Sequence, residues 1–181
     1  MSKKHGEITA ALGKELSSSH ELAKLGYAVI YDHGKGGDDE ASVTSAWIGD
    51  KKKRDNRLTE IDIIVYGMQG HKAKLLIEIE ESGDNPKKII GAAMATLFGE
   101  KISSPGQADL PVGRWTTLLV LAKGEGDAHL ERTRLIEGKI NDLLREEGIN
   151  KMKIGTVKLV LFQHEDDLKP IIIDMLKKTD D

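Results

Sequence analysis

Two short stretches set carboxylates where a buried strand would be apolar: Thr59-Glu60-Ile61-Asp62-Ile63-Ile64-Val65-Tyr66 and Lys74-Leu75-Leu76-Ile77-Glu78-Ile79-Glu80-Glu81. Period-two alternation puts Ile61, Ile63 and Val65 on one face of the first stretch, and Glu60, Asp62, Ile64 and Tyr66 on the other. In the second stretch Leu75, Ile77 and Ile79 share a face, and Leu76, Glu78 and Glu80 share the opposite one. Residues 67–73 between them include Gly67 and Gly70 and read as a hairpin loop. Pairing symmetric about Gly70 sets Asp62 against Glu78 and Glu60 against Glu80. Like charges directly opposed on a sheet are destabilising. Such a patch is expected to hold a cation, and an all-oxygen ligand set suits magnesium, manganese or calcium. A hairpin with one solvated face alternates in the same way and binds nothing. On the hairpin alone both readings stand.

Composition narrows the classes of function. The 181 residues carry 39% hydrophobic and 31% charged side chains, an ordinary globular balance. That length suffices for one domain with a real core. A net charge of -3 gives no global attraction to nucleic acid, so any such contact must rest on a local patch. With no cysteine, disulfides, thiolate zinc sites, iron–sulfur clusters and cysteine nucleophiles are excluded. The six histidines form no His-x-x-x-His pair, which argues against a zinc site. The first residues lack an apolar signal core, and no segment approaches membrane-spanning length. A cytoplasmic protein without a membrane partner is the expectation.

The elements that must position the acids follow from periodicity and punctuation. Ile8, Ala11, Leu12, Leu16, Leu22 and Ala23 predict a helix over about residues 7–25, ended by Gly26, with Tyr27 to Tyr31 as a strand. Residues 32–57 form a long polar excursion carrying the basic run Lys51-Lys52-Lys53-Arg54. After the hairpin, Asn85-Pro86 announces a helix to about Phe98. Arg114 to Leu121 and Thr156 to Phe162 read as strands; Asp127 to about Glu147 and Asp167 to Lys178 read as helices. Strands alternating with helices favour a mixed sheet covered on both faces. Under such cover the acids must sit at a sheet end, in a cleft.

Glu15 falls near the middle of the first helix's apolar stripe. Glutamate is rarely buried without a partner. Either it reaches solvent or a lysine from the stripe's edge, or its helix carries it toward Asp62 and Glu78.

A helix acid, a strand, then Asp62 and Glu78-Ile79-Glu80 together resemble the PD-(D/E)xK nuclease superfamily. Holliday-junction resolvases of this superfamily carry a first-helix glutamate shortly before a Gly-aromatic strand entry, and Glu15 precedes Gly26-Tyr27 at a similar spacing. The resemblance implies the restriction-endonuclease-like fold: α/β, a mixed central sheet of about five strands flanked by helices, core order αβββαβ. It places that core over about residues 7–121 of a single domain 1–181, with a C-terminal αβα extension over about 127–178. Two departures stand out. Ile61 replaces the proline before the aspartate, and Glu80 replaces the lysine that orients the attacking water. BamHI-type restriction enzymes have a similar Asp…Glu-x-Glu arrangement; a lysine migrated to the next helix, Lys87 or Lys88, is the other route. The glutamine that some relatives carry on that helix has no counterpart between Asn85 and Glu100.

The implied activity is a DNA endonuclease dependent on magnesium or manganese. In it Asp62 and Glu78 would be direct ligands, with the Ile79 carbonyl as a further oxygen. Glu80 would hold or deprotonate the water, and Glu15 would complete a second or outer-shell site. Lys51, Lys52, Lys53, Arg54 and Arg57 would contact DNA on one side and Lys87 and Lys88 on the other, with Trp47 available to stack or wedge. Cutting both strands symmetrically takes two sites, so a homodimer is expected. Two alternatives differ in class. One is the same fold without catalysis, binding nucleic acid or a protein partner; the other is an unrelated α/β protein whose hairpin acids face water.

Overall fold

The computed structural model of the chain describes residues 6–31, 44–49, 54–81, 83, 85–103, 108–146 and 153–179. The stripe of Ile8, Leu12 and Leu16 forms helix α1 (Glu7–Ser17) and is buried along one side. The single helix expected over residues 7–25 is instead two. Ser17 and Ser18 turn their hydroxyls back onto the Lys14 carbonyl, which competes with helical continuation. Ser19 then takes an extended backbone and accepts the Leu22 N–H at 3.4 Å, capping α2 (His20–Lys24). Gly26, at φ 78°, turns the chain into β1 (Tyr27–Tyr31).

Strands β4 (Ile63–Gly67) and β5 (Lys72–Glu80) form an antiparallel hairpin paired Ile63–Ile77, Ile64–Leu76 and Val65–Leu75. This register is the one symmetric about Gly70, until an irregularity between Val65 and Tyr66 shifts it near the loop. β1 joins antiparallel to β4, while β7 (Thr117–Lys123) and β8 (Thr156–Phe162) join in parallel beyond β5. The sheet order is β1-β4-β5-β7-β8. Parallel neighbours need crossovers, and helices α3 (Pro86–Leu97) and α4 (Asp127–Arg145) supply them. Asn85 caps α3 by accepting the Lys87 N–H, with Pro86 in the first turn as expected. The chain is thus an α/β protein with a mixed five-stranded sheet flanked by helices.

The alternation of the strands divides the core in two. Ile63, Val65, Leu75, Ile77 and Ile79 pack beneath α1, α2 and the last helix, α5 (Leu168–Thr179). Ile64, Leu76, Leu118 and Val120 pack beneath Ile89, Ala93 and Leu97 of α3 and Ile140 and Leu144 of α4. Each such buried Leu or Ile contributes about 1.5–3 kcal/mol, so both faces of the sheet are firmly covered. Glu78 and Glu80, with the parity of Leu76, belong to the α3 face.

The strand expected to run unbroken from Thr59 to Tyr66 does not. Residues 57–60 form β3, which pairs with β2 (Ser45–Trp47) in a separate three-stranded sheet ordered β3-β2-β6, where β6 is Lys101–Ser103. The chain breaks at Ile61, whose N–H donates to the Thr44 carbonyl at 2.8 Å. Glu60 consequently lies opposite Ser45, not Glu80, and Ile61 turns to the α3 side of the core. The step switches the chain from the mostly exposed β3 to β4, whose Ile63, Ile64 and Val65 are all buried, so the apparent alternation spans two sheets. Trp47 is no exposed wedge: it is 4% exposed and its Nε1–H donates to the Ser103 carbonyl at 3.1 Å. Among the described residues no helix is long and apolar enough to cross a membrane.

Candidate active site

Asp62 stands at the step between the two sheets, one residue before β4. Its Oδ2 accepts the Ile79 N–H at 2.7 Å, which ties the step to β5 beyond the end of the backbone ladder. Glu78 points from β5 toward α3 and is 6% exposed. The Thr96 hydroxyl of α3 donates to its Oε1 at 2.6 Å. Burial, and secondly the charge of Asp62, push the Glu78 carboxyl well above its ordinary pKa; the Thr96 bond pulls the other way. Asp62 is therefore close enough for its charge to oppose the ionisation of Glu78.

Two residues further along the same face, Glu80 meets Lys88. The Lys88 Nζ, from the first turns of α3, lies 3.6 Å from Glu80 Oε1. Of Lys87 and Lys88, it is Lys88 that approaches the strand from the following helix. One residue beyond, Glu81 Oε1 is buried with no hydrogen-bond partner, an orphaned acceptor at the end of β5. The structure therefore brings Asp62, Glu78, Ile79, Glu80 and Lys88 to one end of the hairpin.

Glu15 is not brought there. It lies on α1, which covers the opposite face of the sheet, and its side chain is 57% exposed with Oε1 3.0 Å from Lys169 Nζ of α5. The expectation that Glu15 sits in the middle of the apolar stripe fails: the buried side of α1 is Ile8, Thr9, Leu12, Gly13 and Leu16, and Glu15 lies off it beside the exposed Ala11. Arg57 is exposed on β3 and pairs with Glu60. Lys87 is exposed at the start of α3, which packs beside β3. These two basic residues ride on neighbouring elements next to the acid pair. Lys51, Lys52 and Lys53, and the side chain of Arg54, lie outside the described residues.

Thr96 escaped the sequence reading, although a signal was there. It falls with Ile89, Ala93 and Leu97 on the buried stripe of α3, and a hydroxyl on such a stripe needs a buried partner. Whether the acids suit a divalent cation can be judged from their surroundings. Glu78 has a hydroxyl donor on one oxygen, a repelling carboxylate nearby and little solvent; a cation between Asp62 and Glu78 would relieve that repulsion. Among the described residues, no three histidine, aspartate or glutamate side chains are grouped as a ready-made cage, so further oxygens would have to come from backbone, water or substrate.

No family model, no curated protein and no solved structure matches this chain.

Proposed function

We propose that this chain is a metal-dependent DNA endonuclease of restriction-endonuclease-like fold. The observation that carries the reading is the convergence of Asp62 and Glu78 at the end of β5, with Lys88 reaching Glu80 from the next helix. The strand order adds support: β1, β4, β5 and β7 run antiparallel, antiparallel and parallel, with α1 before them and α3 at the crossover. With α2, β2, β3 and β6 taken as additions, these elements follow the αβββαβ order that the resemblance implies.

Asp62 and Glu78 would hold magnesium or manganese, with the Ile79 carbonyl as a further oxygen. When bound, such an ion supplies charge stabilisation at phosphorus and a water nucleophilic near neutral pH. The protein's own groups do the rest. Ile79 N–H fixes Asp62 and Thr96 fixes one oxygen of Glu78, so that neither carboxylate must reorganise. Glu80 takes the proton of the attacking water, and Lys88 orients Glu80 and offers positive charge to the phosphate. Arg57, Lys87 and the Lys51–Arg54 run would contact the DNA backbone, which fixes position and carries no sequence information.

The second reading, a nuclease-fold module that binds nucleic acid or a protein partner without cutting, draws on Glu80 at the lysine position and on the lack of a preformed cage among the described residues. Cleavage of supercoiled plasmid in magnesium or manganese separates the two. Nicking is expected from the wild type, none from Asp62→Ala, and a loss of at least about 100-fold from Lys88→Ala. The Lys88→Ala variant should keep its stability within about 1 kcal/mol, because an exposed ion pair contributes little. Plasmid that is bound but never cut in either metal overturns the first reading.

A further inference from the structure

The end of the hairpin away from the acids carries an aromatic side chain that the core does not use. Trp115, two residues before β7, is 45% exposed, whereas the other tryptophan, Trp47, is 4% exposed. Its indole lies hard against Gly113, where an added Cβ would fall 2.5 Å from Cη2 and Cζ3. The Lys72 ammonium sits over the ring, 4.8 Å from its centroid. The loop that delivers Lys72 is held by a ring contact of its own: His71, at φ 47°, stacks on Tyr66 with centroids 5.8 Å apart. Two hydrogen bonds lock the segments together. The Ala73 N–H donates to the Pro111 carbonyl at 2.9 Å, and the Thr116 hydroxyl donates to the Ala73 carbonyl at 2.8 Å. The indole is therefore fixed before any ligand arrives, which removes an ordering cost from binding.

The charge of these segments differs from that of the chain. Residues 66–74 and 110–116 contain Lys72, Lys74 and Arg114 and no aspartate or glutamate, in a chain of net charge -3. Lys72 and Arg114 are exposed, and among the described residues neither makes an ion pair. Arg114 gives one donor to the Leu144 carbonyl at 3.4 Å and keeps the rest of its fork. Cations without acid partners beside a fixed ring select a ligand in which flat π-systems alternate with anions. Nucleic acid has that chemistry, and a single strand leaves its bases free to stack on a side chain. Lys72 would pass from the indole to a phosphate as a base takes the ring. The exchange is favourable, because base stacking on an aromatic outweighs an exposed cation–π contact.

We propose that this end of the sheet binds single-stranded nucleic acid, with one base stacked on Trp115 and the flanking phosphates held by Lys72 and Arg114. The site is separate from the proposed active centre. Lys72 and Glu78 stand six residues apart on β5, about 20 Å, and nothing in the inference uses the acid pair or a metal.

Fluorescence titration of the full-length chain in chelator with an oligothymidylate of about 12 nucleotides tests it, whether or not the chain cuts DNA. Trp47 is buried, so quenching reports on Trp115. The wild type is expected to show saturable quenching below about 100 μM strand at low salt, with thymidine monophosphate at least about tenfold weaker. Trp115→Leu should weaken binding of a labelled strand, read by anisotropy, at least about fivefold, while Trp115→Phe stays within about threefold of the wild type. Lys72→Gln should weaken it too and lower the salt slope by about 0.7. That variant changes only an exposed head group, so it decides the matter if Trp115→Leu fails to fold. Fluorescence unchanged at about 100 μM strand leaves Trp115 to a protein partner and overturns the proposal. So does an affinity that ignores both substitutions, or a mononucleotide or a duplex of equal length that binds as tightly as the strand.

Discussion

Glu78 is a carboxyl group held where its own charge is costly, and that cost is measurable. Burial first, and Asp62 second, raise its pKa in the folded protein above the ordinary glutamate value of 4.5. In the absence of metal, the folded state keeps a proton that the unfolded chain releases above that value. Stability that is fully present below pH 4.5 is therefore lost as the pH climbs through the raised folded pKa. Glu78→Gln should flatten this decline and melt higher than the wild type at pH 8 in chelator, as read by circular dichroism. Thr96→Val should act in the opposite direction, costing about 1–3 kcal/mol by leaving a buried carboxyl without its donor. Thr96→Ser should recover most of that in urea unfolding. At this scale much was legible. Asp62, Glu78 and Glu80 stood out because acids broke an apolar alternation, whereas the sequence left Lys87 and Lys88 as equal candidates to reach back to the strand. Glu15 shows the limit: Ala11 suggested an apolar stripe centred near Glu15, but the buried side is turned toward Thr9 and Gly13, which are too small or polar to mark it in the sequence.

The elements teach a related lesson. The hairpin register followed from loop symmetry and alternation, since slipping it by one residue would bury the wrong face of both strands. Strands β2 and β6 left no such trace, being three residues each, and β2 hides within a polar excursion. β2, held on its other side by β6, nonetheless captures residues 57–60 and so creates the step at Ile61 that presents Asp62. The break between α1 and α2 was equally local, a matter of serine hydroxyls competing for carbonyls. How tightly α1 sits on β1 could not be read from the sequence either. A Cβ added at Gly13 would lie 2.2 Å from Tyr31 Cγ. Gly13→Ala, which on an isolated helix would gain about 1 kcal/mol, should instead destabilise the protein by about 1–3 kcal/mol through overpacking. Urea denaturation of that single variant gives the sign directly.

At the scale of the whole molecule, helices on both faces leave the ends of the sheet as the place where polar chemistry can reach solvent. β8 forms the edge of the sheet opposite β1, and α5 joins α1 and α2 in covering the face turned away from Glu78. α3 links the scales: it brings Thr96 to Glu78 and Lys88 to Glu80. In the proposed function Asp62 and Glu78 together grip a hard cation. Melting temperature against added manganese tests it most directly. At one hundred times the dissociation constant, binding should add about 2.7 kcal/mol, a rise of roughly 5–10 °C for a chain of this size. The rise should vanish in Asp62→Asn and in Glu78→Gln and persist in Glu15→Gln. A wild-type curve that stays flat through millimolar manganese, or a rise that survives loss of both carboxylates, would contradict it.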